Sequence, residues 1–400
     1  MTVVGVVVEY NPFHNGHAFH LQEARRVTGA DTVVAVMSGY FLQRGEPAVV
    51  PRRLRTEMAL LEGADIVVEL PYAFSSQHAS IFARGAVSIL HQLGADYLCF
   101  GSEAGTIEPF LALASFLKEH RTEYDTHVRY FSRLGYSYPR AASSAFKALS
   151  PSADLPDMAE PNNSLGLHYI QAVQSLGASM VPVTIKRTGA AFHDKELPSK
   201  HIASATAIRH KLTYESPASV EPYMPASSFS LLSNYAGKAP LVQWEHYFPF
   251  LQAKLLTVSS KHLSTMYEAE EGLERLLAKH ARSESFSVMM KEAKTKRYTM
   301  TRLQRACIQI LLGVTKSEMA GAMTDGQPQY MRLLGMTAAG RRYLQHRKKS
   351  FTIPLKTSIP GKKTGQALLE ERAAVTYYLP FPASKNERWK EEYTLPPVIL

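Results

Sequence analysis

The strongest constraint in this sequence is a recurrence: short, almost wholly apolar runs alternate with helical stretches through the first 210 residues. The runs are Val3 to Val8, Thr32 to Met37, Asp65 to Leu70, Asp96 to Phe100 and Met180 to Ile185. Strands that are apolar nearly throughout are covered on both faces, which is the pattern of a parallel sheet built from βαβ units. Between them, helical spacing predicts helices over Gly16 to Val27, Arg52 to Glu62 and Ala79 to Gln92, and a helical insert from about 107 to 176 before the fifth strand. Three strands are entered through the same tripeptide, Gly-Ala-Asp at 29 to 31, 63 to 65 and 94 to 96, where a helix stops on glycine and a strand begins. The fold expected is α/β, a Rossmann-like doubly wound parallel sheet with a helical insert.

A chain of 400 residues favours two or three domains. The proline-punctuated stretch YESPASVEPYMPASS, Tyr214 to Ser228, marks the boundary. It predicts an α/β domain at 1–213, a linker at 214–240 and a basic, mainly helical domain at 241–400. Charge supports the division. Residues 281–400 hold 21 Lys+Arg against 9 Asp+Glu, and residues 1–280 hold 24 against 26, so the whole excess behind the net +10 lies in the last third. Such a module suits a polyanion, with Lys294, Lys296, Arg297, Arg302, Arg305, Arg341, Arg342 and Lys348 as candidate phosphate contacts and Tyr298 and Tyr343 as candidate stacking residues. Cys99 and Cys307 stand far apart without a CxxC partner, which argues against a disulfide framework or structural zinc. No signal-peptide pattern and no apolar window near 18 residues is present, so a cytoplasmic protein without a membrane segment is expected.

Directly after the first strand the sequence reads EYNPFHNGHAFH. In a doubly wound sheet, nucleotides bind at the carboxyl ends of the strands with phosphates at a helix N-terminus. Pro12 stiffens the turn and Gly16 allows close approach of backbone to a ligand. His14 and His17 are then placed to donate to an α-phosphate. Two other readings fit the residues alone. Three imidazoles, His14, His17 and His20, are the number a catalytic zinc uses, although no HExxH is present. Alternatively the histidines cap and pack the helix.

His14-Asn15-Gly16-His17, preceded by Tyr10 and Pro12, resembles the HxGH motif of a nucleotidyltransferase superfamily. HIASATAIRHKL at 201–212 resembles that superfamily's second signature, ISxTxIR, with Ser204, Thr206 and Arg209 in register and Ile202-Ala203 in place of Ile-Ser. With SGYFLQRGEPA at 38–48, EPNNSLGLHYI at 160–170, IKRTGAAFHD at 185–194 and TKRYTMTRLQR at 295–305, nearly the whole chain is similar to the tRNA(Met) cytidine acetate ligase family. That resemblance implies an enzyme that makes acetyl-adenylate and pyrophosphate from acetate and ATP. It then passes the acetyl group to N4 of the wobble cytidine of elongator tRNA(Met), giving N4-acetylcytidine.

The resemblance puts ATP on the segment Val7, Val8, Glu9, Tyr10, Asn11, Pro12, Phe13, His14, Asn15, Gly16, His17 and His20, and on Gly101, Asn162, Arg187 and Thr188. His14 and His17 are the expected catalytic residues. Ser204, Thr206 and Arg209 are assigned to the leaving pyrophosphate, and Arg44 is a candidate to close over the triphosphate or the tRNA. Mg2+ is expected on the phosphates, with no protein metal ligand named and no protein partner implied. The rival readings are adenylylation of a small phosphorylated substrate and non-catalytic tRNA binding. An aminoacyl-tRNA synthetase would need a KMSKS-like loop, which is lacking.

Overall fold

The computed structural model describes residues 1–150, 155–187, 202–361, 364–382 and 387–400. The five expected strands form as β1 (Val3–Val8), β2 (Thr32–Ser38), β3 (Ile66–Leu70), β4 (Tyr97–Ser102) and β5 (Val181–Lys186), all parallel. Three more join from the far end of the chain: β6 (Met331–Met336), antiparallel to β3, and two-residue strands β7 (Leu355–Lys356) and β8 (Val398–Ile399), both paired with β6. The order is β5-β4-β1-β2-β3-β6-β7, so the connections reverse direction between β1 and β4 and open a crevice at their carboxyl ends.

The apolar runs are explained by double coverage. Val33, Ala35 and Met37 of β2 face one core together with Val4, Val6 and Val8, while Val34 and Val36 face the other with Val3. The Gly-Ala-Asp tripeptides do more than end helices. Gly29, Gly63 and Gly94 take positive φ (60°, 113° and 73°), a turn that favours glycine. Each following aspartate then accepts a backbone N–H at the start of the neighbouring strand: Asp31 from Thr2 (2.8 Å), Asp65 from Val33 (2.9 Å) and Asp96 from Val3 (2.7 Å). One motif thus turns the chain and sets the level of the adjacent strand.

Helices α1 (Asn15–Thr28), α2 (Arg52–Leu61) and α3 (Ala79–Leu93) cover the sheet. The insert folds as α4 (Glu108–Glu119), α5 (Arg121–Arg133), α6 (Tyr138–Ala148) and α7 (Pro161–Ser175). The second signature opens α8 (Ala205–Tyr214). The expected linker at 214–240 is instead largely helical, with a 3₁₀ helix over Pro217–Tyr223 and α9 (Ala226–Ala236). Pro217 sits in the first turn of the one and Pro225 caps the other, so these prolines start helices rather than interrupt structure. Beyond them lie α10 (Trp244–Thr257), α11 (Met300–Leu312) and α12 (Ala338–Arg347). The last third is not a separate helical body. Trp244, Tyr247 and Leu303 share a core with Val34 and Leu90, and β6 completes the sheet. Among the described residues no helix is long and apolar enough to cross a membrane.

Candidate active site

His14 is the N-cap of α1, and the cap is reciprocal. Its Nδ1 accepts the Gly16 N–H at 3.0 Å, while the Nδ1 of His17 accepts the His14 N–H at 3.3 Å. The rings stack with centroids 3.7 Å apart. Because both Nδ1 atoms accept, both imidazoles carry their proton on Nε2, away from the backbone. Burial, with Arg187 and Arg209 near, lowers His14 to about 3; burial also takes His17 well below the ordinary range, with His14, His20 and Arg187 adding to it. The helix therefore begins with two neutral Nε2–H donors. Capping and phosphate binding, alternatives in the sequence, are compatible in this geometry, since one nitrogen of each ring caps and the other stays available. Gly16 is required here because a Cβ would lie 2.9 Å from the His14 ring.

Tyr10, Asn11, Pro12 and Phe13 form the loop that carries the pair. Tyr10 adopts φ 51° and packs its buried ring on Phe13 (4.6 Å) and His17 (4.9 Å). Asn11 accepts the Val49 N–H through Oδ1 at 2.7 Å. Asn15 donates to the Pro222 carbonyl at 3.1 Å. His20, lowered by burial and Arg187 to about 4, faces the buried Cys99 at 3.9 Å and so sits behind the pair.

The two signatures meet. Arg209 of α8 donates to the Asn11 carbonyl at 3.1 Å, pairs with Glu46 at 2.9 Å and lies 3.5 Å from the Thr206 hydroxyl. Ser204 caps α8 by accepting the Ala207 N–H at 3.1 Å, and Ile202 stands 3.7 Å from where a Gly16 Cβ would be. The N-termini of α1 and α8 thus converge. Gly101 of β4 lies against the Arg187 stem, since a Cβ there would come 3.3 Å from Arg187 Cγ. Asn162 donates to Glu103 at 2.5 Å, and the neighbouring Asn163 accepts the Glu103 and Ala104 N–H groups, tying α7 to the exit of β4. Thr188 lies outside the described residues.

Residues that the sequence did not mark hold this arrangement. Arg55 of α2, fully buried, donates to the carbonyls of Glu9 (2.7 Å), Ser38 (3.0 Å), Val50 (3.3 Å) and Gly39, and burial lowers it to about 10. One side chain thereby fixes the chain as it leaves both β1 and β2. In sequence it is one of three arginines in Arg-Arg-Leu-Arg, with nothing to separate it from the others. Gly45 (φ 77°) brings the 39–48 loop onto α11; a Cβ would come 2.7 Å from the Arg305 backbone nitrogen.

A cleft of about 1540 Å³ opens beside the nucleotide segment. Val7, Val8, Glu9, Arg44 and Asn162 line it; the insert supplies Lys118, Arg121 and Tyr138, and the C-terminal part supplies Arg302 of α11 with Arg297 and Glu268 from the segments before it. Tyr138 is 54% exposed. The candidate RNA contacts divide accordingly. Arg297 and Arg302 stand on the cleft, each reaching Glu271 (3.2 and 3.4 Å). Arg305 also borders it but is buried and holds both Glu268 oxygens at 3.0 and 2.8 Å, so it is an ion-paired structural group. Lys294 and Lys296 are exposed, the former donating to the Tyr298 carbonyl at 3.1 Å. Tyr298 and Tyr343 are buried with their hydroxyls bonded to the carbonyls of Glu271 (2.6 Å) and Leu93 (2.5 Å), so neither presents a face for stacking. Arg341, Arg342 and Lys348 are exposed on or just after α12, which docks at the amino ends of the strands through Thr337 and Asp65 (3.0 Å). That is the edge of the sheet opposite the crevice.

The chain matches the model of the family described as HIGH Nucleotidyl Transferase over residues 1–392. It is 48% identical to the tRNA(Met) cytidine acetate ligase of Halalkalibacterium halodurans, with 100% of this chain and 98% of that protein covered. It is 43% identical to the enzyme of the same name from Bacillus subtilis, with 95% and 92% covered. Among solved structures it superposes on Thermotoga maritima TmcAL, both the apo form (TM-score 0.91, 33% identity) and the form bound with alpha-thio ATP (0.90, 32%), each covering 100% of both chains. The chain belongs to the HIGH nucleotidyl transferase family and, within it, to the tRNA(Met) cytidine acetate ligases.

Proposed function

We propose that this protein activates acetate with ATP and transfers the acetyl group to N4 of the wobble cytidine of elongator tRNA(Met). The observation that carries the nucleotide half is the reciprocal His14–His17 cap, with two neutral Nε2–H donors at the convergence of α1 and α8. An acetate oxygen attacks the α-phosphorus, and the P–O bond to pyrophosphate breaks. Charge developing on the α-phosphate oxygens is met by the two imidazole N–H groups, a role in which one preorganised donor is worth about 10²–10³ in rate. Arg209 and the free N–H groups at the start of α8 receive the departing pyrophosphate. The nucleophile arrives as an anion, so this step asks the protein for positioning and charge neutralisation alone.

Mg2+ commonly accompanies ATP, but these side chains are N–H donors. His14 and His17 present Nε2–H and Arg209 its guanidinium, so these groups suit phosphate oxygens rather than a cation, and Mg2+ would be held through the phosphates themselves. The cleft supports the transfer half. It leads from the nucleotide segment between an insert wall and a C-terminal wall that both carry cations, with Tyr138 available for a base. Adenylylation of a small phosphorylated substrate would use both signatures and leave this cleft without a role. The test is incubation with ATP and labelled acetate, with and without elongator tRNA(Met). Acetate-dependent pyrophosphate and tRNA-bound acetylcytidine are expected; a lack of acetate-dependent turnover refutes the reading.

A further inference from the structure

We propose that the Glu9 carboxylate is the general base of the transfer step, taking the proton from cytidine N4 as that nitrogen attacks the acetyl carbonyl carbon. The proposal rests on the acetate ligase reading and adds a residue role to it. In the step, the N–C bond forms and one N4 proton passes to Glu9. The bond between the acyl carbon and the phosphate oxygen breaks with its electron pair kept by AMP, and Glu9 later releases the proton to solvent.

The placement comes first. Glu9 follows β1 at the reversal point of the sheet, and of the segment from Val7 to His20 only Val7, Val8 and Glu9 line the cleft. Glu9 is therefore the ionisable group of that segment that faces the second substrate. An exocyclic amine becomes acidic as its new bond forms, so an acceptor must stand on that side.

Other groups in the region are committed elsewhere. His14 and His17 accept backbone N–H groups at Nδ1 and are donors at Nε2. His78, on the cleft, has Nε2 3.3 Å from the Arg305 guanidinium and so carries its proton on Nδ1. Three cleft carboxylates are held by cations: Glu268 by Arg305 (2.8 Å), Glu270 by Lys316 (2.9 Å) and Asp125 by Arg121 (3.2 Å). Glu9 accepts the Gln43 N–H at 2.8 Å, which orients the carboxylate, and the Gln43 side chain is in turn anchored to the Gln77 carbonyl at 2.8 Å. Burial raises the Glu9 carboxyl above its ordinary value and Glu46 adds to this, while the Gln43 N–H, Arg44 and Arg209 oppose it; Arg55 and Tyr169 also lie in its field. The remaining rival is His168 of α7, which lines the cleft with Nδ1 3.2 Å from Gln171.

The test separates the two half-reactions. Acetate-dependent pyrophosphate–ATP exchange reports the first, and single-turnover acetylation of elongator tRNA(Met) reports the second. Glu9→Gln keeps an acceptor for Gln43 N–H and removes the base. It should slow transfer by about 10²–10⁴, at least tenfold more than it slows exchange. Wild-type transfer should climb with pH as Glu9 ionises, and the Gln variant should lose that rise while Glu9→Asp keeps part of it. Equal losses in both steps, an unchanged pH rise in Glu9→Gln, or the same selective loss in His168→Gln would overturn the proposal. Absence of acetate-dependent exchange in the wild type would overturn the ligase reading itself, and this assignment with it.

Discussion

Replacing His14 by asparagine separates its two functions. Asparagine is a strong N-cap and can accept the Gly16 N–H that His14 Nδ1 accepts at 3.0 Å, so α1 keeps its first turn. What disappears is the Nε2–H donor and the titration. The donor's loss should lower acetate-dependent pyrophosphate formation about 10²–10³-fold. The loss of the titration can be worked out from the depressed folded-state value of about 3, against 6.5 for an ordinary histidine. Between those values the unfolded chain binds the proton and the folded chain does not, so the contribution to stability is complete above pH 6.5 and is lost as pH falls. From pH 7 to pH 5 the loss is about 2 kcal/mol, at 1.36 kcal/mol per unit over the interval below 6.5, and it does not depend on the folded value as long as that stays well under 5.

Urea unfolding of wild type and His14→Asn at the two pH values isolates this term, because every other titrating group is common to both proteins. The wild type should lose about 2 kcal/mol more than the variant on acidification. The same geometry predicts that kcat/KM for ATP does not fall as pH rises from about 6 to 8, since the donors act as neutral imidazoles. A variant with the wild-type pH slope in stability, or a descending limb of activity near pH 6.5, would refute the neutral, reciprocally capped pair.

Arg55→Met should destabilise the fold by about 3 kcal/mol, because the carbonyls of Glu9, Ser38, Gly39 and Val50 lose their buried donor. Arg55→Lys should recover part of this in urea melts but less of the activity, since one ammonium cannot reach all four. Gly16→Ala places a Cβ 2.9 Å from the His14 ring and should lower exchange activity at least tenfold with a much smaller change in urea midpoint. For RNA, Arg297→Gln with Arg302→Gln should weaken tRNA binding and flatten its salt dependence by about 0.7 in log–log slope per lost phosphate contact. Arg341→Gln with Arg342→Gln, at the opposite edge of the sheet, should change that slope little, as filter binding over a salt series would show.

What could be read from the chain was whatever its neighbours in sequence determine. The apolar runs became strands, and the spacing of His14 to His17 matters because cap and donor both belong to a single helical turn. Charge was misread where its partner lies far away. Arg332, in a strand the sequence did not mark, is buried between Glu69 (3.4 Å) and Glu392 (2.8 Å), with Arg52 bound to the same two carboxylates. Arg305 is absorbed by Glu268, which lies outside the last third. Each counted towards the basic excess of the last third, yet an ion pair holding one layer of the fold to another leaves little charge for a polyanion. The insert shows the converse. Its residues carry no marked basic excess and suggested no partner, but folding sets Lys118, Arg121 and Tyr138 across the cleft from Arg297 and Arg302. On the proposed reading the cleft rather than the tail is the surface to test for RNA affinity, and net charge along the chain overstates one side of it and misses the other.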